Sequence, residues 1–222
     1  MSGASHGWAR EAAMNPNVHV RRRLAEAEDL TADLMLLMVS DSDADVRLTV
    51  ASQPTLPAAA LPALAQDADG IVRGVAAGNV DMPTALLVSL ASDPDPWVRE
   101  RVAGNRSTPP EVLASLALDP DLAVRQSVAW NPVAPTAALK TLASQYDEWT
   151  RLRVAGNVSA PADVLTSLAA NEDDEVRSIV AGNLSAPEDL LRTLADDPDP
   201  EVAERAAGTL WWQEHCPEPE AP

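Results

Sequence analysis

An all-α solenoid of about eight 26-residue, two-helix repeats is the fold this sequence predicts, and two observations carry that prediction. The first is a fixed period. A Val-Arg step recurs at Val20-Arg21, Val46-Arg47, Val72-Arg73, Val98-Arg99, Val124-Arg125, Thr150-Arg151 and Val176-Arg177, and Val202-Ala203 keeps the register without the arginine. A period of roughly 20 to 50 residues marks stacked units, each too small to bury its apolar face alone. The second is composition. Phe is absent and aromatic residues make up 3% of the chain, so the core must be thin layers of Leu, Ala and Val rather than one large centre.

Each repeat has two halves. The residue four before each repeat arginine, or its equivalent, is Asn17, Asp43, Asp69, Asp95, Asp121, Asp147, Asp173 or Asp199, all good N-caps for a first helix. Pro96 and Pro200 sit one position later, in the first turn, where a missing N–H costs nothing. This helix is expected to run about two turns and to stop at Ala-Gly-Asn, as in Ala77-Gly78-Asn79, Ala103-Gly104-Asn105, Ala155-Gly156-Asn157 and Ala181-Gly182-Asn183. The glycine is expected to supply a left-handed residue and the asparagine to bond the turn. A Ser, Thr or Asp (Thr55, Asp81, Ser107, Ser159, Ser185) and a proline (Pro57, Pro83, Pro109, Pro135, Pro161, Pro187) then open the second helix. That helix carries leucines at i, i+3, such as Leu87/Leu90 and Leu165/Leu168, with Met35 and Met38 in the first unit, and so presents an apolar stripe to its neighbour. Pro62 should kink or shorten the second helix of its unit. Helices this short are marginal alone, so stacking has to supply the stability.

An Asp-x5-Arg spacing runs through the same units: Asp41 to Arg47, Asp67 to Arg73, Asp93 to Arg99 and Asp119 to Arg125. It predicts a structural ladder of ion pairs between layers, the planar guanidinium serving carboxylates of its own and the adjacent unit. Arg151 and Arg177 continue the arginine row, while Gln145 and Asn171 replace the acid and Ala203 replaces the last arginine. A residue needed at every layer reads as packing, and a catalytic residue is usually needed once, so no catalytic role is assigned to these rows.

The unit Asp-Pro-Asp-Pro-x-Val-Arg-x-x-Val-Ala-Gly-Asn-x-x-x-Pro-x-x-Leu-Leu-x-x-Leu-Ala resembles the leucine-rich-repeat variant family and, more loosely, the short HEAT-like repeats, over essentially Asn15 to Leu210. The resemblance implies paired short helices, one of them in part 3₁₀, wound into a right-handed superhelix without β-sheet. Some members carry an iron-sulfur cluster on a cysteine-rich segment outside the repeats. This chain has the single Cys216, so that cofactor does not carry over and none is expected. The adjacent His215 and Cys216 make no metal site, which needs three or four ligands.

Three segments follow from the register: residues 1–14 as an N-terminal capping half-repeat bearing Trp8, 15–210 as one solenoid domain, and 211–222 as a C-terminal cap with Trp211-Trp212 and a disordered acidic, Pro-rich tail. No signal segment or apolar run of roughly 18 residues is visible, so a cytoplasmic protein with no membrane partner is expected. With 16 cations against 34 acids the net charge is −18, which makes nucleic acid an unfavourable partner. No nucleophile motif, phosphate loop or dinucleotide fingerprint is present, and no enzyme is expected.

One row departs from scaffold. The residue before each Val-Arg step reads His19, Asp45, Ile71, Trp97, Ala123, Trp149, Glu175, Glu201, charged at its ends and apolar in the middle. Arg101 and Arg153 stand four residues after the two tryptophans, the spacing for a guanidinium over an indole. Either each arginine shields a surface tryptophan, or Ile71, Trp97, Arg101, Trp149 and Arg153 form a contact ridge with acids beyond it for a basic flank of a ligand. The function expected is a non-enzymatic scaffold for a protein or peptide partner with basic segments. The alternative is a HEAT-like nucleic-acid-binding module that uses the repeat arginines as a phosphate track.

Overall fold

The computed structural model describes residues 3–145 and 147–216, and its regular structure there is helical throughout, with 16 α-helices, one 3₁₀ turn and no strand among the described residues. The chain divides into two compact units between Pro109 and Pro110. The first holds α1 (Gly3–Ala13), α2 (Val18–Ala25), α3 (Ala32–Met38), α4 (Ala44–Ala51), a 3₁₀ turn (Ala58–Ala60), α5 (Leu61–Leu64), α6 (Gly70–Ala77), α7 (Thr84–Leu90) and α8 (Pro96–Gly104). The second holds α9 (Pro110–Leu116), α10 (Leu122–Trp130), α11 (Thr136–Ala143), α12 (Glu148–Ala155), α13 (Ala162–Ala169), α14 (Asp174–Ala181), α15 (Glu188–Leu194) and α16 (Pro200–His215).

Even-numbered helices are the first halves of the repeats. Each packs on the next, α2 on α4 on α6 on α8 in one unit and α10 on α12 on α14 on α16 in the other. The odd-numbered helices of the second unit stack likewise, α9 on α11 on α13 on α15. This is the helical-repeat solenoid the period predicts. In α1, Ala9 and Ala13 are buried against the first layer while Trp8 stays largely exposed.

The first-half helices start where their caps predict. Asn17 and the seven aspartates from Asp43 to Asp199 each accept a hydrogen bond from a backbone N–H two or three residues on. Second-half helices start on the prolines themselves: Pro57, Pro83, Pro135, Pro161 and Pro187 occupy the N-cap with no side-chain bond, their fixed φ leading the chain into the turn. The core between the rows is what the stripe requires. Leu87, Leu113, Leu139, Leu165 and Leu191 on one side and Val46, Val72, Val98, Val124, Val176 and Val202 on the other are fully buried.

Two expectations change. No described residue has positive φ, and Gly78, Gly156 and Gly182 close their helices in right-handed geometry. At two of these positions the space above the glycine is filled by a side chain from the next repeat. The Arg101 guanidinium lies on Gly78 and that of Arg205 on Gly182, where a Cβ would collide with them. Gly104 has open space above it, and nothing in the structure explains it. Pro62 does shorten its helix, leaving the 3₁₀ turn and the four residues of α5. Trp211 and Trp212 do not follow the last helix but belong to it. Position 209 holds Thr in place of the repeat Asn, and its hydroxyl donates back to the Arg205 carbonyl, so α16 runs on to His215, whose ring stacks on Trp211. From Pro217 the expected disordered tail lies outside the described residues.

Candidate functional site

The arginine row joins layers with a fixed geometry. Arg47 donates from Nε and Nη2 to the two carboxylate oxygens of Asp67 in the next repeat, at 2.6 and 2.7 Å, and from Nη1 to the backbone carbonyl of Asp41 in its own, at 2.8 Å. Arg21 does the same with Asp41 and the Asn15 carbonyl, Arg73 with Asp93 and the Asp67 carbonyl, and Arg177 with Asp197 and the Asn171 carbonyl. Arg99 and Arg125 reach the Asp93 and Asp119 carbonyls in the same way. From its own unit the arginine therefore takes a carbonyl, not the carboxylate the spacing suggests. The reason is local: each carboxylate also accepts the backbone N–H two residues on, as Asp67 does from Asp69, which fixes it to receive the preceding layer's guanidinium. Both partners are largely out of water, with side-chain exposures of 13% for Arg47 and 4% for Asp67. Burial pushes the Asp41, Asp67 and Asp93 carboxyls up. The guanidinium and the backbone N–H outweigh it and hold all three below the ordinary carboxylate range.

A second ladder was read in the sequence only as turn chemistry. Asn157 accepts the Ser159 N–H at Oδ1 and donates from Nδ2 to the carbonyls of Ala129 and Asn131 in the preceding repeat, at 2.7 and 2.9 Å. Asn183 bridges to Ala155 and Asn157 in the same way, and Asn105 to Ala77 and Asn79. In the earliest copy Gln53 takes the place, donating to the Ala25 carbonyl. The serines add a rung, Ser185 Oγ donating to the Val158 carbonyl at 2.6 Å. The sequence signal was present: an amide repeating at period 26 is more than one turn needs.

The expected contact row falls in both units. In the first, Ile71 is exposed at the start of α6, but the Trp97 ring is half-buried on Gly74 and Arg101 lies on Gly78, so both side chains reach back onto α6. In the second, Trp149 opens α12 and is 65% exposed, and Arg153 follows one turn later. Positions 149, 153 and 156 lie on one face of α12 by their i, i+4, i+7 spacing. Across that face runs an apolar line that sequence reading missed. A methyl group added at Gly156 would touch Ile179 of α14 at 3.5 Å and the Trp130 ring of α10 at 3.8 Å. Trp130 is itself 62% exposed. It stands at the glycine position of Ala-Gly-Asn, and that substitution was its legible mark. Arg153 follows Trp130 by 23 residues, the step that separates Arg101 from Gly78 and Arg205 from Gly182. Beyond Ile179 the face becomes acidic. A cleft of about 310 Å³ between α14 and α16 is lined by Asp174, Glu175, Asp199 and Glu201 together with Ser178, Ile179 and Arg205.

Among the described residues no three His, Cys, Asp or Glu side chains converge as metal ligands, and no helix is long and apolar enough to cross a membrane.

Known proteins place this geometry. The family model of the leucine rich repeat variant matches residues 44–69, 96–121 and 174–199. A solved leucine-rich repeat variant, described as having a novel repetitive structural motif, is 30% identical, with a TM-score of 0.65 over 92% of this chain and 81% of that one. This chain belongs to the leucine-rich-repeat variant family. An engineered protein shares the fold at 19% identity and a TM-score of 0.50, over 91% of this chain and 77% of its own. No curated protein matches the chain.

Within the leucine-rich-repeat variant pattern the carboxylate ladder weakens in the second unit. Arg125 meets Gln145 Oε1 at 2.9 Å in place of an acid. Arg151, whose next-layer position holds Asn171, keeps the Gln145 carbonyl but has a buried Nε with no partner among the described residues. The change Asn171→Asp keeps the acceptor for the Asp173 N–H and returns a carboxylate to that guanidinium. It is expected to raise stability by about 1 kcal/mol, the scale of one charge-assisted hydrogen bond offset by desolvation. A urea midpoint that is unchanged or lower would show that Arg151 does not need the acid.

Proposed function

We propose that this leucine-rich-repeat variant protein is a non-enzymatic scaffold that holds a protein or peptide partner on the outward face of its first-half helices. The observation that carries the reading is the exposure of Trp130 and Trp149 on adjacent helices, in a chain where aromatic residues are scarce. Indoles are among the side chains that interfaces concentrate. The repeat arginines do not favour a phosphate track, because Arg21, Arg47, Arg73 and Arg177 are turned into the ladder with side-chain exposures of 11 to 15%. The net charge of −18 opposes nucleic acid as well. A peptide-display selection on the whole chain, run beside gel shifts with duplex DNA and single-stranded RNA in low salt, tests it. Enrichment of a peptide class without a salt-sensitive shift is expected. A shift near micromolar concentration with no enriched peptide would favour the nucleic-acid reading instead.

A further inference from the structure

We infer that the face of α10, α12, α14 and α16 takes an extended, basic segment of a partner, with an apolar side chain on the Trp130–Trp149 surface and, about four residues away, a Lys or Arg in the cleft between α14 and α16. The inference rests on the scaffold reading and names its site and ligand chemistry.

The apolar half of the surface is Trp130, Trp149 and Ile179, spread over three successive helices. The polar half is the cleft, whose four carboxylates face one guanidinium, and that guanidinium is already engaged: Arg205 lies on Gly182 and donates to Ser178 Oγ at 3.2 Å. Glu175 and Glu201 occupy the register of Trp149 one and two repeats on, so apolar and acidic positions lie along one row. Helices pack about 8 to 10 Å apart. From α12 to a point between α14 and α16 is one and a half layers, about 12 to 15 Å, which an extended chain at about 3.3 Å per residue covers in about four residues. At about 310 Å³ the cleft has room for one long side chain. Charge selects among occupants. A nucleic acid, an anionic membrane surface and a second copy of this chain at −18 are all repelled, whereas a cationic segment is drawn to the cleft.

The test is fluorescence anisotropy of the full chain with a labelled dodecapeptide in a Gly/Ser background, carrying a leucine pair four residues before a Lys-Arg pair. Two twins replace Lys-Arg by Glu-Glu or the leucines by serines. The parent peptide is expected to bind at least about tenfold more tightly than either twin, a ratio that one desolvated contact supplies, and to weaken about as much in roughly 500 mM salt. The change Trp130→Ala with Trp149→Ala should cost the same factor, and Glu175→Lys with Glu201→Lys should reverse the preference toward the Glu-Glu twin. Unchanged melting curves check that both variants remain folded. If the parent binds no better than its twins, or the face variants leave its affinity unchanged, this assignment is wrong. Display-selected peptides that still bind those variants would then leave the scaffold reading standing, and an empty selection would remove both.

Discussion

Changing Asn157 to aspartate is expected to destabilise the second unit by about 3 to 5 kcal/mol, read as a lower urea midpoint with the slope unchanged. The substitution is isosteric, so packing around the nearly fully buried side chain is kept. The acceptor toward the Ser159 N–H also survives. What is lost is the pair of donors at 2.7 and 2.9 Å from the Ala129 and Asn131 carbonyls. A carboxylate oxygen facing two carbonyl oxygens in a buried layer is both unsatisfied and charged, the combination with the largest penalty. The sign with pH is fixed. That environment disfavours the charged form, so the new carboxyl's folded pKa rises above its unfolded value. The deficit is then full above the folded pKa and shrinks as pH falls through it toward the unfolded one. An aspartate variant that melts with the parent protein at neutral pH would show that the amide is not an interlayer clamp.

Local chemistry was legible in this sequence and interlayer chemistry was legible only in part. Asp95 followed by Pro96 announces a helix start because the bond it makes, to the Trp97 N–H, is two residues away. The Val-Arg period announces stacking because a unit of that length is too small to bury its apolar face alone. Asn157 read as a turn residue because half of its bonding is a turn, and the other half lies 26 and 28 residues back in the chain. Gly78 read as a conformational residue because in one sequence the guanidinium of Arg101, which fills the space above it, is 23 positions away. The contact row was read from its register, which found Trp149 but not Trp130, whose register belongs to the glycines.

Arg73→Ala is expected to cost about 3 to 4 kcal/mol, because it strands one side of a buried ion pair. Asp93, with 6% of its side chain exposed, would lose bonds at 2.7 and 2.9 Å, and the Asp67 carbonyl would lose its own at 2.7 Å. Arg73→Lys should recover less than half of the loss. One ammonium cannot serve both oxygens of Asp93 and a carbonyl on the other side. The control is Arg23→Ala, whose side chain is 87% exposed beside Glu26, with an expected change within about 0.5 kcal/mol. Equal, small shifts for Arg73→Ala and Arg23→Ala would mean that the row is solvated and adds little to the stack.

That the polar residues of the repeat bind layer to layer rather than serve their own layer is tested most directly by two double-mutant cycles sharing one residue. Arg47 holds the carboxylate of Asp67, 20 residues ahead, and only the backbone carbonyl of Asp41, six residues behind. Alanine cycles in urea should therefore give a coupling of about 2 to 3 kcal/mol for Arg47 with Asp67 and near-additivity, within about 0.5 kcal/mol, for Arg47 with Asp41. A coupling of Arg47 to Asp41 as large as that to Asp67 would contradict the account, because the ladder would then close within each repeat instead of between them.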